Sequence, residues 1–206
     1  MRTKREFREE HLLVTGERVI LRHIQPTDAA ALKRAFDTLS PESRYRRFFG
    51  ATSSMNDATL RYLTDVDCVD HVAIVALTES LDLKTELGLG VARFVRLADS
   101  KDCAEIAVVV VDDMQRKGLG ALLLATAVVA ARERGILKFR GEVLAENRPI
   151  IHLLEEVGAR RVAEKGGTVA FEIDLAEGGN VLKRMLREAA SQVAMFIRSL
   201  TLPTNQ

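Results

Sequence analysis

The chain has 206 residues, of which 47% are hydrophobic, 29% charged and 5% aromatic. These fractions are typical of an ordinary globular domain, so they exclude a disordered chain, a collagen-like repeat and a disulfide scaffold. Lys and Arg number 30 and Asp and Glu 29, which leaves a formal net charge of +1. This balance argues against a nucleic-acid-binding protein, because neutralising many phosphates requires a basic excess.

Two features of the sequence bear on its compartment. The two cysteines, Cys68 and Cys103, form no CxxC pair and have no histidine at a metal-ligand spacing. The charged N-terminus lacks the apolar stretch of a secretory signal, and nowhere do about 18 uncharged apolar residues follow one another, as a membrane-spanning helix requires. We therefore expect a cytoplasmic protein that binds no metal, no membrane and no nucleic acid.

The first half of the chain shows strand and helix patterns after a charged N-terminal extension, residues 1–16. Residues 17–24 alternate apolar and charged side chains, which predicts a half-buried strand. Three helices are predicted next, because polar capping residues and prolines precede three helix-forming runs. These runs begin after Gln25-Pro26-Thr27-Asp28, at Ser40-Pro41 and near residue 57.

Three strands are predicted in the middle of the chain. Residues 71–77 and 87–97 are β-branched runs that predict an antiparallel hairpin. Gly88 and Gly90 lie inside the second run, and we interpret them as a close approach of two backbones. The next run, residues 103–111, contains four consecutive valines and indicates a central strand that is buried on both faces.

The following patterns alternate again between helix and strand. Small and aliphatic residues at 121–135 predict a buried helix, and residues 136–144 predict a strand parallel to the one before it. Asn147 begins a helix that ends at Gly158. Residues 160–175 form a predicted hairpin around a glycine pair.

The C-terminal segment, residues 177–206, begins with a Gly-Gly-Asn break. Apolar residues then recur at the spacing of a long amphipathic helix. Two interpretations stay open: the helix packs on its own domain, or it pairs two protomers into a homodimer.

The segment that carries chemistry joins the valine strand to the next helix. Its sequence is Gln115-Arg116-Lys117-Gly118-Leu119-Gly120. Unsatisfied N–H groups and the helix dipole attract phosphate at such a helix N-terminus, and Arg116 and Lys117 add positive charge. The P-loop and the GxGxxG pattern do not fit this string. It predicts an anion-binding loop, with a plain helix-capping loop as the alternative.

This string matches the Q/R-x-x-G-x-G/A motif of the GCN5-related N-acetyltransferases, and the order of strands and helices resembles that family over residues 17–175. The strings SPESRYRRFF and AEIAVVVVDDMQRKGLG resemble bacterial protein-lysine acetyltransferases of the Pat type. The resemblance implies an α/β (α+β) GNAT fold over residues 17–176. Its central mixed sheet would have about seven strands flanked by helices, followed by the C-terminal amphipathic helix.

The resemblance also implies where acetyl-CoA, the expected cosubstrate, binds. The backbone amides that would hold its pyrophosphate are those of Gln115, Arg116, Lys117, Gly118, Leu119, Gly120 and Ala121. The strand end at Val109, Val110 and Val111 would separate from its neighbour and pair with the pantetheine arm. Asn147 would contact the cofactor or cap its own helix.

Glu105 is the candidate general base. It interrupts an otherwise apolar strand, where we expect a carboxylate to be partly desolvated, and Pat-type domains carry a catalytic glutamate at the corresponding position. A protonated amine cannot attack a thioester, so the reaction needs a base. The alternative is a strand-end glutamate that faces solvent.

The residue at the expected general-acid position differs from the family pattern. Many members have a tyrosine seven residues after the Asn147 position, where this chain has Leu154, and no tyrosine follows Tyr62. His152 lies on a different helix face from Leu154. We expect the CoA thiolate to leave without a dedicated acid, because its pKa is far below that of an alkoxide.

The acceptor site is expected in residues 38–56 and in the loop near 78–86. Arg44, Arg46 and Arg47, with neighbouring aromatics Tyr45, Phe48 and Phe49, would line an entrance; alternatively the arginines are solvated and the aromatics are core. Asp65, Asp67 and Asp70 would hold a cationic acceptor or are plain loop residues.

Together these features predict an N-acetyltransferase in which an amine attacks acetyl-CoA directly in a ternary complex. The acceptor is a protein lysine or a small amine. The alternative function is a catalytically weak acyl-CoA-binding module with a regulatory or interaction role.

Overall fold

The computed structural model describes residues 7–48, 55–79, 86–156 and 158–175. The strands are β1 (Arg8–Leu12), β2 (Arg18–His23), β3 (His71–Glu79), β4 (Glu86–Arg96), β5 (Cys103–Val110), β6 (Lys138–Leu144), β7 (Arg160–Lys165) and β8 (Thr168–Asp174). The helices are α1 (Ala29–Thr38), α2 (Pro41–Phe48), α3 (Asp57–Thr64), α4 (Leu119–Glu133) and α5 (Arg148–Glu156). Each strand and helix predicted between residues 17 and 175 is present. The predicted C-terminal helix, Phe49 and most of the loop near 78–86 lie outside the described residues.

All strands of the described residues join one sheet in the order β1-β2-β3-β4-β5-β6-β8-β7. Only the β5–β6 pair is parallel among these neighbours, as the strand–helix–strand order predicts. The sheet has eight strands where about seven were expected. The additional strand is β1, which lies in the predicted N-terminal extension and pairs with β2 from Arg8 opposite Arg22 to Leu12 opposite Arg18.

Helix α4 packs on one face of the sheet because its side chains are almost all small or aliphatic. Leu119 and Leu123 are fully buried there, in one cluster with Phe94 and Phe139, whose rings lie 5.6 Å apart. On the other face, α1 and α3 contribute Phe36 and other apolar residues to a second cluster. The sheet is therefore covered on both faces at its centre.

Strands β5 and β6 separate soon after they meet. Their parallel pairing covers only three positions and ends at Glu105 opposite Arg140. On its other edge, β5 stays paired with β4 as far as Val110. The valines of β5 are consequently half-buried, which corrects the expectation of burial on both faces. The reason is that the edge of β5 that faces β6 has no neighbouring strand beyond Glu105.

Strand β4 approaches β5 very closely at Gly90. A Cβ at this position would lie 2.8 Å from the carbonyl oxygen of Val109 and 3.0 Å from Cδ1 of Leu123. Its register against β3 also shifts here, because Ala76 pairs with Gly90 and Leu77 with Gly88, which leaves one extra residue in β4. The predicted close approach of two backbones is confirmed at Gly90.

Candidate functional site

The predicted anion-binding loop follows the end of β5. The chain passes through a 3-10 turn at Asp112–Met114 and reaches Gln115. Two residues then take left-handed backbone conformations, Arg116 with φ 59° and Gly118 with φ 84°. Such a conformation is unusual for arginine and is common at a functional turn. Helix α4 begins immediately afterwards, at Leu119.

This loop presents a row of backbone donors. The first helical bond runs from the Leu122 N–H to the Gly118 carbonyl, and within the described chain the N–H groups of residues 116–121 donate to no protein acceptor. A Cβ on Gly120 would lie in ordinary van der Waals contact with Cγ2 of Val110, at 3.7 Å, so Gly120 lies close to the end of β5. Free donors at a helix N-terminus form the kind of anion site that the sequence predicts.

The side chain of Gln115 stabilises the loop from within. Its Nε2 donates to Asp112 Oδ1 at 2.9 Å and to the Val110 carbonyl at 3.3 Å. Asp112 is absent from the sequence prediction. A hydrogen bond from the Ser43 hydroxyl, followed by bonds from Ser40 and Gln115, holds the pKa of Asp112 below its ordinary value. The charged carboxylate is therefore a structural part of the loop.

Lys117 does not lend a free charge to the loop, which corrects the expectation. Its Nζ lies 2.7 Å from Glu17 Oε1, and about a third of each side chain is exposed. The Lys117 bond, with a second from the Thr15 hydroxyl, lowers the pKa of Glu17 to about 2. Arg116 is exposed, so the loop offers its backbone donors and one guanidinium group.

Glu105 lies where β5 and β6 separate. It is the last residue of β5 paired with β6, and its cross-strand neighbours are Val95 and Arg140. Its side chain is exposed, so the expected partial desolvation is wrong in this structure. The exposure results from the loss of β6 as a neighbour just beyond this residue. It leaves the carboxylate accessible to an amine or to a water molecule.

A row of alternating charge continues from Glu105 across the sheet. Arg140 Nε lies 3.3 Å from Glu172 Oε2, and Arg160 Nη2 lies 2.9 Å from Glu172 Oε1. Glu172 is buried, and its hydrogen bond raises the pKa of Arg140. A buried carboxylate between two guanidinium groups is compensated for the loss of water. This row orients Arg140 beside the candidate base.

Asn147 lies at the same end of the sheet as the loop, because the parallel strands β5 and β6 both have their carboxyl ends there. It precedes α5 and its carbonyl accepts the Ile151 N–H at 3.1 Å. No hydrogen bond of its side chain to another described residue is seen, which leaves the amide available to a ligand. Leu154 is half-buried against the core, and His152 is exposed.

On the opposite side of β5, α1 and α2 approach the site. Arg44 donates to the carbonyls of Leu39 and Asp37 and lies over the Phe36 ring at 5.1 Å. Its guanidinium therefore stabilises the turn between the two helices. Tyr45 is 45% exposed, and the side chains of Arg46, Arg47 and Phe48 lie outside the description.

The acidic residues considered for acceptor binding have different surroundings. Asp67 Oδ1 accepts three consecutive N–H groups, those of residues 69–71. Asp70 pairs with Arg96 at 2.6 Å. Both therefore serve the loop before β3, which favours the loop interpretation for these two. Asp65 is exposed.

An apolar cavity of about 60 Å³ lies between α1 and the sheet. Its walls include Leu32, Phe36 and Met55 on the helical side and Val109 and Val111 at the end of β5. The cavity thus reaches the strand end that precedes the anion-binding loop. No group of three or more His, Cys, Asp or Glu side chains arranged for a metal ion occurs in the described part of the chain.

The splayed parallel strands, the donor loop and the helix behind it agree with one known family. The sequence profile of the acetyltransferase (GNAT) family matches residues 41–159. The chain belongs to the GNAT family of acetyltransferases. Acetyl-CoA is the cosubstrate of this family. Among the helices described here, none is long and apolar enough to cross a membrane.

The individual relatives include Pat proteins, which the Pat-like strings in the sequence predict. The acetyltransferase Pat of Mycolicibacterium smegmatis is 34% identical over 165 residues, which cover 78% of this chain and 47% of that protein. The chain therefore spans about half the length of this relative. An acetyltransferase of Pseudomonas aeruginosa is 30% identical over 144 residues, which cover 69% of this chain and 75% of that protein. The crystal structure of the GNAT domain of S. lividans PAT superposes with a TM-score of 0.73 at 27% identity, covering 81% of this chain and 96% of that one.

Proposed function

We propose that this GNAT domain transfers the acetyl group of acetyl-CoA to a protein lysine by direct attack in a ternary complex. The observation that carries the proposal is the opening between β5 and β6 immediately after Glu105, with the free N–H groups of residues 116–121 at its end. The lysine assignment is supported by the Pat-like strings, residues 40–49 and 104–120.

The loop and the strand would bind the cosubstrate in two ways. The Gln115 N–H already donates to the Asp112 carbonyl at 3.1 Å, which corrects its expected role. The amides of residues 116–121 would donate to the pyrophosphate, and the side-chain amide of Asn147 would add a contact at the same end of the sheet. The unpaired edge of β5 at Val109–Val111 would bond to the pantetheine arm as an added strand does. Both contacts use the backbone, so they need no basic surface.

Glu105 would then act as the general base. Its exposed carboxylate accepts a proton from the ammonium group, directly or through one water molecule. The neutral nitrogen attacks the thioester carbonyl carbon, the C–S bond breaks and CoA leaves as a thiolate, while the second proton that the nitrogen must lose to become an amide passes to water. Leu154 offers no proton, so CoA leaves as the free thiolate, which the low pKa of its thiol permits.

The test is the variant Glu105→Gln, which keeps the shape and removes the base. We expect kcat to fall by about 10²- to 10⁴-fold, the usual contribution of a general base, while the Kd for CoA measured by calorimetry is unchanged. Glu133→Gln, at an exposed position at the far end of α4, is the matched control and should retain full activity. Full turnover by Glu105→Gln at every pH would remove Glu105 from the mechanism.

A second candidate function is an acyl-CoA-binding module with weak turnover, which the leucine at position 154 favours. Incubation with acetyl-CoA and a panel of proteins and polyamines separates the candidates. Acetylated lysines in mass spectra support the proposal, turnover of polyamines alone indicates a small-amine enzyme, and CoA binding without turnover indicates the module.

A cytoplasmic location and a homodimer formed through residues 177–206 stay predictions. Truncation after Ala176 should give a monomer if the C-terminal segment pairs two protomers.

A further inference from the structure

Asp112 connects the predicted cofactor loop to helix α2. Its Oδ2 accepts the Ser40 N–H at 2.8 Å and its Oδ1 accepts the Ser43 hydroxyl at 2.5 Å. The same Oδ1 accepts Gln115 Nε2 at 2.9 Å. Asp112 is 72 residues from Ser40, so this is a tertiary contact and not a local turn. We call these four residues, Asp112, Ser40, Ser43 and Gln115, the Asp112 junction.

Helix α2 depends on this junction for its N-terminal end. It has eight residues, which is too short to be stable by itself in water. Ser40 caps it by accepting the Ser43 N–H at 3.1 Å. The Asp112 carboxylate adds a negative charge at the same end, where the helix dipole favours one. A short helix is thus anchored by a residue of the cofactor loop.

Gln115 makes the other half of the connection. It is the first residue of the loop motif, and its Nε2 also lies 3.3 Å from the Ser43 hydroxyl. A ligand on the amides that follow Gln115 would restrict the loop, and the shared carboxylate would pass that restriction to α2. Helix α2 lies on the expected acceptor side. Acceptor binding would therefore be favoured by a loaded cofactor loop, and the effect must be reciprocal.

We infer that Asp112 is a positioning residue that couples occupancy of the cofactor loop to the order of helix α2, so that the acceptor side forms fully only when CoA is bound. This inference rests on the proposed function, since it takes CoA as the ligand of the loop. Its only chemical requirement is that a carboxylate with two oxygens accepts from both the loop and α2 at once.

Hydrogen–deuterium exchange of the full chain, with and without saturating CoA, tests the inference without a known acceptor. In the wild-type protein we expect CoA to slow exchange of the amides at 116–122 and also of those at 43–48, the latter by about 5-fold or more, the lower end of typical allosteric coupling. In Asp112→Asn, where one oxygen is lost as an acceptor, the loop should stay protected and the α2 effect should fall below about 2-fold. Asp113→Asn, which changes the exposed neighbouring carboxylate, should behave as the wild type.

Each outcome decides the question. Equal protection of α2 in Asp112→Asn and wild type, or no protection of α2 in the wild type, would overturn the coupling. Absence of protection in the loop itself would overturn the proposed CoA site and the inference with it. If Asp112→Asn does not fold, Ser43→Ala removes only one hydroxyl from the junction. It should likewise lose the α2 effect while urea denaturation shows a folded protein.

Discussion

Adding one methyl group at Gly90 of β4 should destabilise the packing of β4 against β5, the strand that carries the predicted site. The new Cβ of Gly90→Ala would lie 2.8 Å from the Val109 carbonyl oxygen, a backbone atom that cannot turn aside, and 3.0 Å from the buried Leu123 side chain. In Gly88→Ala, two residues earlier in the same strand, the Cβ would have its nearest neighbour at an ordinary 3.5 Å, Ala35 Cβ. Gly88→Ala is therefore the matched control.

The expected size follows from two opposing effects. Extra volume in a packed core costs about 1–3 kcal/mol, and replacing glycine by alanine returns about 0.4–1 kcal/mol by reducing the freedom of the unfolded chain. Gly90→Ala should thus lower the free energy of unfolding by roughly 0.5–2 kcal/mol. Its Tm should fall by about 1–8 °C for a chain of this length. Gly88→Ala has only the second effect and should be slightly more stable than the wild type.

Urea denaturation followed by circular dichroism measures both variants against the wild type. Equal m-values would show that the differences reflect stability and not a changed unfolded state. The expected order of midpoints is Gly88→Ala, wild type, Gly90→Ala. If Gly90→Ala were as stable as Gly88→Ala, the close approach of β4 to β5 would not exist in solution.

Two further predictions concern charged pairs. The pKa of Glu17 is lowered to about 2, chiefly by Lys117. The stability that this pair contributes should therefore be complete above about pH 4.5 and disappear as the pH falls toward 2. Glu17→Gln should remove that part of the pH dependence of the unfolding free energy, measured by urea titrations at several pH values. Arg22→Met should cost about 3–5 kcal/mol because it leaves the buried Asp28 carboxylate without the guanidinium 2.7 Å away. Arg8→Gln, which breaks a more exposed pair, should cost less than about 1 kcal/mol, and equal losses in these two variants would contradict the role of burial.

The elements from residue 17 onward were predictable because local patterns agree with the fold. Alternation marks β2, capping residues mark α1 and α3, and a small-residue helix follows the valine strand. Strand β1 was missed because its sequence, REEHL, is mostly charged. Its side chains are largely exposed at the edge of the sheet, and an edge strand needs little apolar pattern.

The site was predictable only where one segment carries it. The run from Val109 to Gly120 places a strand end, a turn and a helix N-terminus in sequence order, so its shape follows from local rules. The contacts of Asp112 with Ser40 and of Lys117 with Glu17 join residues 72 and 100 positions apart, and no local pattern reports such pairs. The exposure of Glu105 was only the alternative expectation from the sequence, because it depends on where β6 diverges, which is a tertiary property.

These long-range contacts change what the near-neutral net charge means for anion binding. Lys117, the lysine of the loop, is already paired with Glu17. The Asp112 carboxylate beside the loop already accepts hydrogen bonds from Ser40, Ser43 and Gln115. The donors that remain in the described loop are the exposed Arg116 side chain and a row of backbone N–H groups fixed by the left-handed turns at Arg116 and Gly118. A phosphate held this way gains from directed hydrogen bonds and the helix dipole more than from net charge. Its affinity should therefore depend weakly on salt compared with a site built from free lysines and arginines.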